Sequence, residues 1–337
     1  MIIEATNKIS KGFDLTADEM IQAMQEIMSG KVEPERIVPF LIALTKKGES
    51  VEELAAAVKI MREHATKINC RQKIILDTCG TGGDKLGTFN ISTTVAFVAA
   101  GAGVVVAKHG NRSVSSRSGS ADILEALGIN INLSAEKIEK CLEEVGIAFL
   151  FAQNLHPAMK FASSARKQIA DRTIFNILGP LSNPAAAGHQ LIGVFDEHLT
   201  VKLAQVLANL GTRHALVVHG RDGLDEITTT HETFISEVKA GAVDSYKISP
   251  EDFGFERSIP QDLLGGDPRQ NAEILLGILN GKTGPKRDII ILNAAAAIYA
   301  ADKAPSIKEG LIKAKESIDS GRAINKLNAL MEFSQKI

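Results

Sequence analysis

The chain has 337 residues, 45% of them hydrophobic and 23% charged, with a formal net charge of −2 and no block of five like charges. That balance excludes a basic nucleic-acid footprint or a membrane-surface patch, and no run of 18 apolar residues is present to span a bilayer. The N-terminal MIIEATNKISKGFDL has no basic segment followed by a long apolar one, and the three cysteines (Cys70, Cys79, Cys141) form no CxxC pair, so a cytoplasmic protein with reduced thiols is expected.

Aromatics are only 4% with no Trp, so the core must be aliphatic and Ala-rich. Thr16-Ala17-Asp18-Glu19 reads as a capping box, in which the Thr and Glu side chains satisfy free backbone N–H groups. After it Met20, Ile21, Met24, Ile27 and Met28 repeat at helical spacing until Gly30. Pro34 starts another helix, with Ile37, Leu41 and Leu44 on one face, a bend expected at Pro39 and a stop at Gly48. Ser50-Val51-Glu52-Glu53 is a second capping box, followed by Leu54, Val58 and Met61. The Met-rich stripe reads as the core of a small helical domain rather than a partner face, with part of it free to pack on a second copy of the chain.

From residue 73 short β-branched runs alternate with helical patterns. The runs are Ile74–Leu76, Gly103–Ala107, Ile147–Phe151, Leu191–Phe195 and Ala215–Val218, with helices near 92–100, 120–127, 134–144, 157–168 and 198–210. That alternation predicts an α/β fold with a mostly parallel sheet buried on both faces. After Pro268 the pattern is mostly helical, and Ala-rich Asn293–Ala301 is its most buried-looking part. The expected division is a helical domain over 1–72, joined by helices near 157–185, and an α/β domain over 73–337.

Two loops carry chemistry. The segment 77–93, DTCGTGGDKLGTFNIST, holds Gly80, Gly82, Gly83 and Gly87, and then Asn90 and Ser92 as candidate caps of the next helix. Glycine lets backbone lie directly against a ligand, and a helix N-terminus suits an anion such as phosphate. Neither standard glycine motif fits: Gly83 is followed by Asp84-Lys85-Leu86 rather than Lys-Ser/Thr, and Val106 stands where the dinucleotide fingerprint needs its third glycine. The second loop, 108–128, follows a strand and holds Lys108, His109, Asn111, Arg112 and Arg117 among interleaved serines. Ser120 or Asp122 is placed to cap the helix toward Leu127. Cations with hydroxyls and glycines suit a polyphosphate at the carboxyl ends of parallel strands, and two such loops reduce the chance that either is a plain solvated turn.

Gly223-Leu224-Asp225-Glu226-Ile227 adds two adjacent carboxylates able to share a hard cation such as magnesium. The other histidines show no ligand spacing, His156 before Pro157 reads as a helix start, and Cys79 reads as a space-filler. No covalent nucleophile pattern is present.

These residues resemble the anthranilate phosphoribosyltransferase family. Asp77-Thr78-Cys79-Gly80-Thr81-Gly82-Gly83-Asp84, Asn90-Ile91-Ser92-Thr93, Lys108-His109-Gly110-Asn111-Arg112 and the run 172–184, RTIFNILGPLSNP, occur in order over most of the chain. The resemblance implies a homodimeric, Mg²⁺-dependent enzyme of tryptophan biosynthesis that joins anthranilate to phosphoribosyl pyrophosphate with loss of pyrophosphate. It implies donor contacts at Gly80, Gly83, Asp84, Thr88, Asn90, Ile91, Ser92 and Thr93. It extends them to Lys108, His109, Gly110, Asn111, Arg112, Ser113, Val114, Ser115, Ser116 and Ser120. Magnesium would lie on Ser92, Asp225 and Glu226, and anthranilate on Gly80, Asn111 and Arg166, with Lys108, Asn111 and Arg166 carrying catalysis. Gln153, where the family often has proline, and Ile169-Ala170-Asp171 depart from the pattern near the acceptor side. The rivals are a pyrimidine nucleoside phosphorylase, whose second-loop lysine typically runs on as Met-Ser-Gly-Arg, and a non-catalytic relative that binds nucleic acid.

Overall fold

The computed structural model describes residues 1–84, 86–113 and 117–336, so the expectations placed on Val114, Ser115 and Ser116 lie outside the described residues. The chain opens with α1 (Ile2–Ser10), α2 (Ala17–Met28), α3 (Pro34–Lys47) and α4 (Val51–Glu63). Both predicted capping boxes form. Thr16 Oγ1 accepts from the Glu19 N–H at 3.3 Å and Ser50 Oγ from the Glu53 N–H at 3.2 Å, and each glutamate accepts from the cap's own N–H in return. Each cap contributes about 1 kcal/mol to its helix. Gly30 and Gly48 stand just past α2 and α3 with φ of +73° and +83°, backbone that glycine adopts without strain. Pro39 sits inside α3, and the helix continues through it. Met20, Met24 and Met28 are buried, so the methionine stripe is interior packing.

The larger unit continues with β1 (Ile75–Gly80), α5 (Ile91–Gly101), β2 (Val105–Gly110), α6 (Ser120–Ala126), α7 (Ala135–Glu144), β3 (Ile147–Phe151) and α8 (Ala152–Leu155). A 3₁₀ turn then precedes α9 (Lys160–Lys167) and α10 (Ile174–Leu181), which pack back on α2, α3 and α4. There follow β4 (His189–Gly193), α11 (His198–Asn209), β5 (His214–Gly220), β6 (Thr233–Lys239) and β7 (Ala242–Ile248). Four helices end the chain: α12 (Pro268–Leu279), α13 (Pro285–Ala300), α14 (Ile307–Asp319) and α15 (Arg322–Gln335).

The strands form one sheet in the order β3-β2-β1-β4-β5-β6-β7, parallel through β5 and antiparallel thereafter. The α13 helix is buried along nearly its whole length against α5 and α14, as its alanines predict. The β6–β7 hairpin was not foreseen, because β7 is largely exposed and carries Asp244, Ser245 and Lys247 where an apolar alternation would be the signal. Successive connections run from β1 outward to β2 and β3, then back across β1 to β4. The order therefore reverses between β1 and β4, where open α/β sheets bind ligands at the strands' carboxyl ends.

Candidate active site

The last residues of β1 and β4, Gly80 and Gly193, pair at that reversal, and the glycine loop leaves directly from it. Thr81 N–H donates to Gly193 O at 2.9 Å, and Phe195 N–H donates to Thr81 Oγ1 at 3.2 Å. Gly82 and Gly83 have φ of +66° and +82°. The Gly82 N–H donates to Asp225 Oδ2 at 2.9 Å. A Cβ on Gly193 would land on the Asp225 carbonyl, so only glycine allows the carboxylate turn this close. Farther along, Thr88 bridges to Leu264 and Gly87 O accepts from Gly265 N–H at 2.9 Å, which anchors the loop's far end.

Asn90 occupies the N-cap position of α5 but does not cap it through its side chain. Its amide donates to Ser118 O at 3.0 Å and its carbonyl accepts from Asn271 Nδ2 at 2.9 Å, so it ties the two predicted loops together instead. Likewise Gly119, not Ser120, is the N-cap of α6; Asp122 Oδ2 accepts from the Gly119 and Ser113 N–H groups at 2.8 and 3.0 Å. Ser120 Oγ donates to Asn111 O at 3.2 Å. Thr93 is buried with its hydroxyl unpartnered, while Ile91 is buried in the core.

At the end of β2, Lys108 is buried, with Nζ donating to Thr78 O and lying 3.3 Å from Ser92 Oγ. Burial lowers its pKa, and the Asp77 charge works against that shift. Asp77 accepts from the His109 N–H at 3.0 Å and from Asn183 Nδ2 at 2.8 Å. Burial pushes the Asp77 carboxyl up to about 6, opposed chiefly by Lys108. The His109 and His156 rings meet through their Nε2 atoms at 3.2 Å. Burial, then the neighbouring His156, lowers His109 to about 3, and burial lowers His156 to about 4. His156 thus does more than open a helix: it pairs with a predicted site residue.

Asn111 Oδ1 accepts from Gln153 Nε2 at 3.3 Å, so the departure at Gln153 touches a predicted acceptor residue directly. The Arg112 guanidinium turns away to Asp122 and Glu125, at 3.1 and 2.5 Å. Gly110, at the end of the strand, faces Ser120 and Phe149 too closely for a side chain.

Across the reversal, desolvation and then the Asp84 charge push the Asp225 carboxyl up to about 7. Asp84 is itself raised by desolvation. Glu226 is buried, and desolvation followed by the Asp225 charge raises it well above the ordinary range, with Lys108 and the Ser92 N–H opposing. Asp84 thus raises Asp225, and both raise Glu226, so negative charge accumulates on the turn. Among the described residues no group of three or more His, Cys, Asp or Glu side chains is set as a preformed metal cage.

Arg166 projects from α9. Its guanidinium lies 5.4 Å over the Phe175 ring, and among the described residues it makes no hydrogen bond or ion pair. Burial lowers its pKa.

Three positioning residues escaped the sequence reading. Arg172 donates to Gly83 O and stacks 3.5 Å over Phe195, fixing the glycine loop from the α9–α10 side. Asn183 donates to both Asp77 Oδ2 and Ala107 O at 2.8 Å. Asn293, inside α13, accepts from Ile227 N–H at 2.9 Å and donates to Ile227 O at 2.7 Å, clamping the turn that presents Asp225 and Glu226. A lone asparagine in an alanine helix was the available signal, since a buried amide needs partners.

The glycosyl transferase family's helical bundle domain matches residues 3–65, and its a/b domain matches residues 72–324. An anthranilate phosphoribosyltransferase of Petrotoga mobilis is 52% identical over 97% of this chain and 95% of its own. The chain belongs to the anthranilate phosphoribosyltransferase family. A crystal structure of the anthranilate phosphoribosyltransferase from Thermus thermophilus matches with a TM-score of 0.94 and 41% identity, covering 98% of this chain and 99% of that one. The Saccharomyces cerevisiae anthranilate phosphoribosyltransferase, in complex with PRPP and Mg, matches with a TM-score of 0.90 and 28% identity, covering 100% and 98%. A second structure of that yeast protein holds 4-fluoroanthranilate and matches with the same score, identity and coverage.

Proposed function

We propose that this chain transfers the phosphoribosyl group of phosphoribosyl pyrophosphate to the amine of anthranilate, giving N-(5-phosphoribosyl)anthranilate and pyrophosphate in tryptophan biosynthesis. The observation that carries this reading is the hydrogen-bonded convergence of the glycine loop, the Lys108 strand end and the Asp225-Glu226 turn on one sheet reversal. A pyrimidine nucleoside phosphorylase and a nucleic-acid-binding relative have no comparable support.

The donor's anionic oxygens meet the amides of Gly80, Gly83, Asp84, Thr88 and Asn90 through Thr93, with Lys108 beneath them. The ribose phosphate meets His109 through Ser116 and Ser120. Ser92, Asp225 and Glu226 would hold Mg²⁺. When bound, the ion neutralises charge on the pyrophosphate as the bond to ribose breaks. The chain's own part is to hold the leaving group among preorganised N–H dipoles and the buried Lys108, a large electrostatic contribution that needs no reorganisation at the moment of reaction.

An aryl amine is neutral and nucleophilic at pH 7, so the acceptor needs positioning rather than a strong base. Arg166, whose guanidinium has no hydrogen-bond or ion-pair partner among the described residues, pairs with the anthranilate carboxylate, and Asn111, braced by Gln153, orients the amine. That division of labour accounts for a site without an acid–base dyad.

The working division is residues 1–72, with the helices near 157–185, against the rest of 73–337. Ile3, Phe13 and Ile42 of the helical part are 52%, 61% and 50% exposed, which supports a homodimer through that part. No helix among the described residues is long and apolar enough to cross a membrane, and a cytoplasmic enzyme is the reading that fits its free cysteines. The test is loss of anthranilate fluorescence on adding phosphoribosyl pyrophosphate, with and without Mg²⁺. Fluorescence that persists with all components present would refute the assignment.

A further inference from the structure

A cavity of about 380 Å³ opens where the end of α4 meets the segments leading into β1 and β4. Its lining residues Ile68, Pro184 and Leu210 precede β1, β4 and β5, so it lies at the amino ends of these strands. The site described above lies at their carboxyl ends. The volume is that of a small-ligand pocket.

Its charged lining residues are three cations, Lys59, Arg62 and Lys67, and one carboxylate, Glu63, while Glu139 is held by the lining Asn69 at 2.6 and 3.1 Å. Among the described residues neither lysine side chain makes a hydrogen bond or an ion pair, and neither does the Glu63 carboxylate. Arg62 is half-buried. Its Nε donates to Leu181 O at 2.9 Å, which fixes the guanidinium plane and leaves both terminal nitrogens without a protein partner among the described residues. Burial lowers its pKa, the mark of a cation held away from water without a counter-ion. A purely structural role, offsetting the negative end of α4, would employ Arg62. It would not explain two further uncommitted cations around the same cavity, nor the apolar lining of Ile68, Pro184 and Leu210 beside them.

The geometry points to a second binding site, for a small carboxylate carrying an apolar body, with Arg62 as its bidentate anchor and Lys59 and Lys67 at its rim. Arginine's fixed fork suits a carboxylate, and the apolar wall receives the rest of the molecule.

Crystals of the full chain soaked in 4-bromobenzoate locate the ligand by bromine anomalous scattering. We expect bromine in the cavity with the carboxylate on Arg62, in addition to any bromine beside Arg166. Calorimetric titration of the same probe should show a site that weakens roughly tenfold in Arg62→Met, as the loss of a charge-assisted pair would give. The same site should weaken severalfold in the double variant Lys59→Ala, Lys67→Ala. The double variant keeps the Arg62–Leu181 hydrogen bond, so it remains informative if Arg62→Met fails to fold. Bromine beside Arg166 alone, cavity density with no matching heat, or a titration unaltered in the double variant overturns the proposal. Tighter binding of inorganic phosphate than of 4-bromobenzoate overturns the assigned ligand class.

Discussion

The Gly82 N–H donates to Asp225 Oδ2 at 2.9 Å, which joins the glycine loop to the carboxylate turn across the reversal of the sheet. The same Asp225 carboxyl is held near 7 by desolvation and by Asp84. An ion held there, as proposed, would neutralise the turn without disturbing its bond to the loop. Asp225→Asn combined with Glu226→Gln should lower Mg²⁺-dependent kcat/KM by roughly two to three orders of magnitude, the scale of losing a preorganised electrostatic group. Magnesium titrations in steady state check this; an unchanged dependence removes both residues from the metal site.

Arg172 is the loop's other restraint, through Gly83 O and the Phe195 ring. Arg172→Lys keeps the charge but loses both the planar stack and the forked geometry. The expected result is a KM for phosphoribosyl pyrophosphate raised roughly tenfold, with the KM for anthranilate little altered, because the Gly83 backbone is proposed to meet the donor. Equal rises in both constants would show that Arg172 supports the whole site rather than the loop.

How much of this was legible beforehand follows from where polar groups sit in strands. The parallel strands read clearly as apolar runs because both sheet faces are covered. The runs stopped short, however, at Leu76 and Ala107, whereas β1 and β2 continue to Gly80 and Gly110. The missing residues, Asp77 through Gly80 and Lys108 through Gly110, include several of the proposed site. A strand tolerates such groups only when they pair, as Asp77 does with Asn183 and the His109 N–H. Those partners come from distant sequence, so no local pattern announces them. Arg172 and Asn183 stood inside the run that carried the family resemblance, yet their tasks became visible only when α10 was seen to bring them beside Gly83 and Asp77.

His109 and His156 should make stability pH-dependent. Both are neutral when folded, with pKa values lowered to about 3 and about 4 from an ordinary 6.5. Between those values the unfolded rings bind more protons than the folded ones, so this pair's contribution to stability falls as the pH drops through 6.5, while the raised Asp77 and Asp225 carboxyls act in the opposite direction. From pH 7 to pH 5 the loss should be about 2 kcal/mol for each ring. The chain has no Trp, so urea unfolding is best followed by far-UV circular dichroism. Relative to the unaltered chain, His156→Gln should lessen the loss between pH 7 and pH 5 by about 2 kcal/mol. A slope identical to that of the unaltered chain would mean that the pair is not kept neutral.

Arg166 tests the acceptor side. Its guanidinium rests over Phe175 with no hydrogen-bond partner among the described residues, so its removal leaves no buried carboxylate behind and should cost the fold little. Arg166→Ala should raise the KM for anthranilate roughly 10- to 100-fold, the worth of charged hydrogen bonds to a carboxylate. The KM for the donor should stay close to its original value, since the glycine loop is restrained by Arg172 and Asp225 instead. Arg166→Lys should recover only part of the loss, because a single ammonium cannot reproduce the two-pronged geometry. Full recovery by lysine would mean that charge alone acts there, and an unaltered constant in the alanine variant would place the acceptor elsewhere.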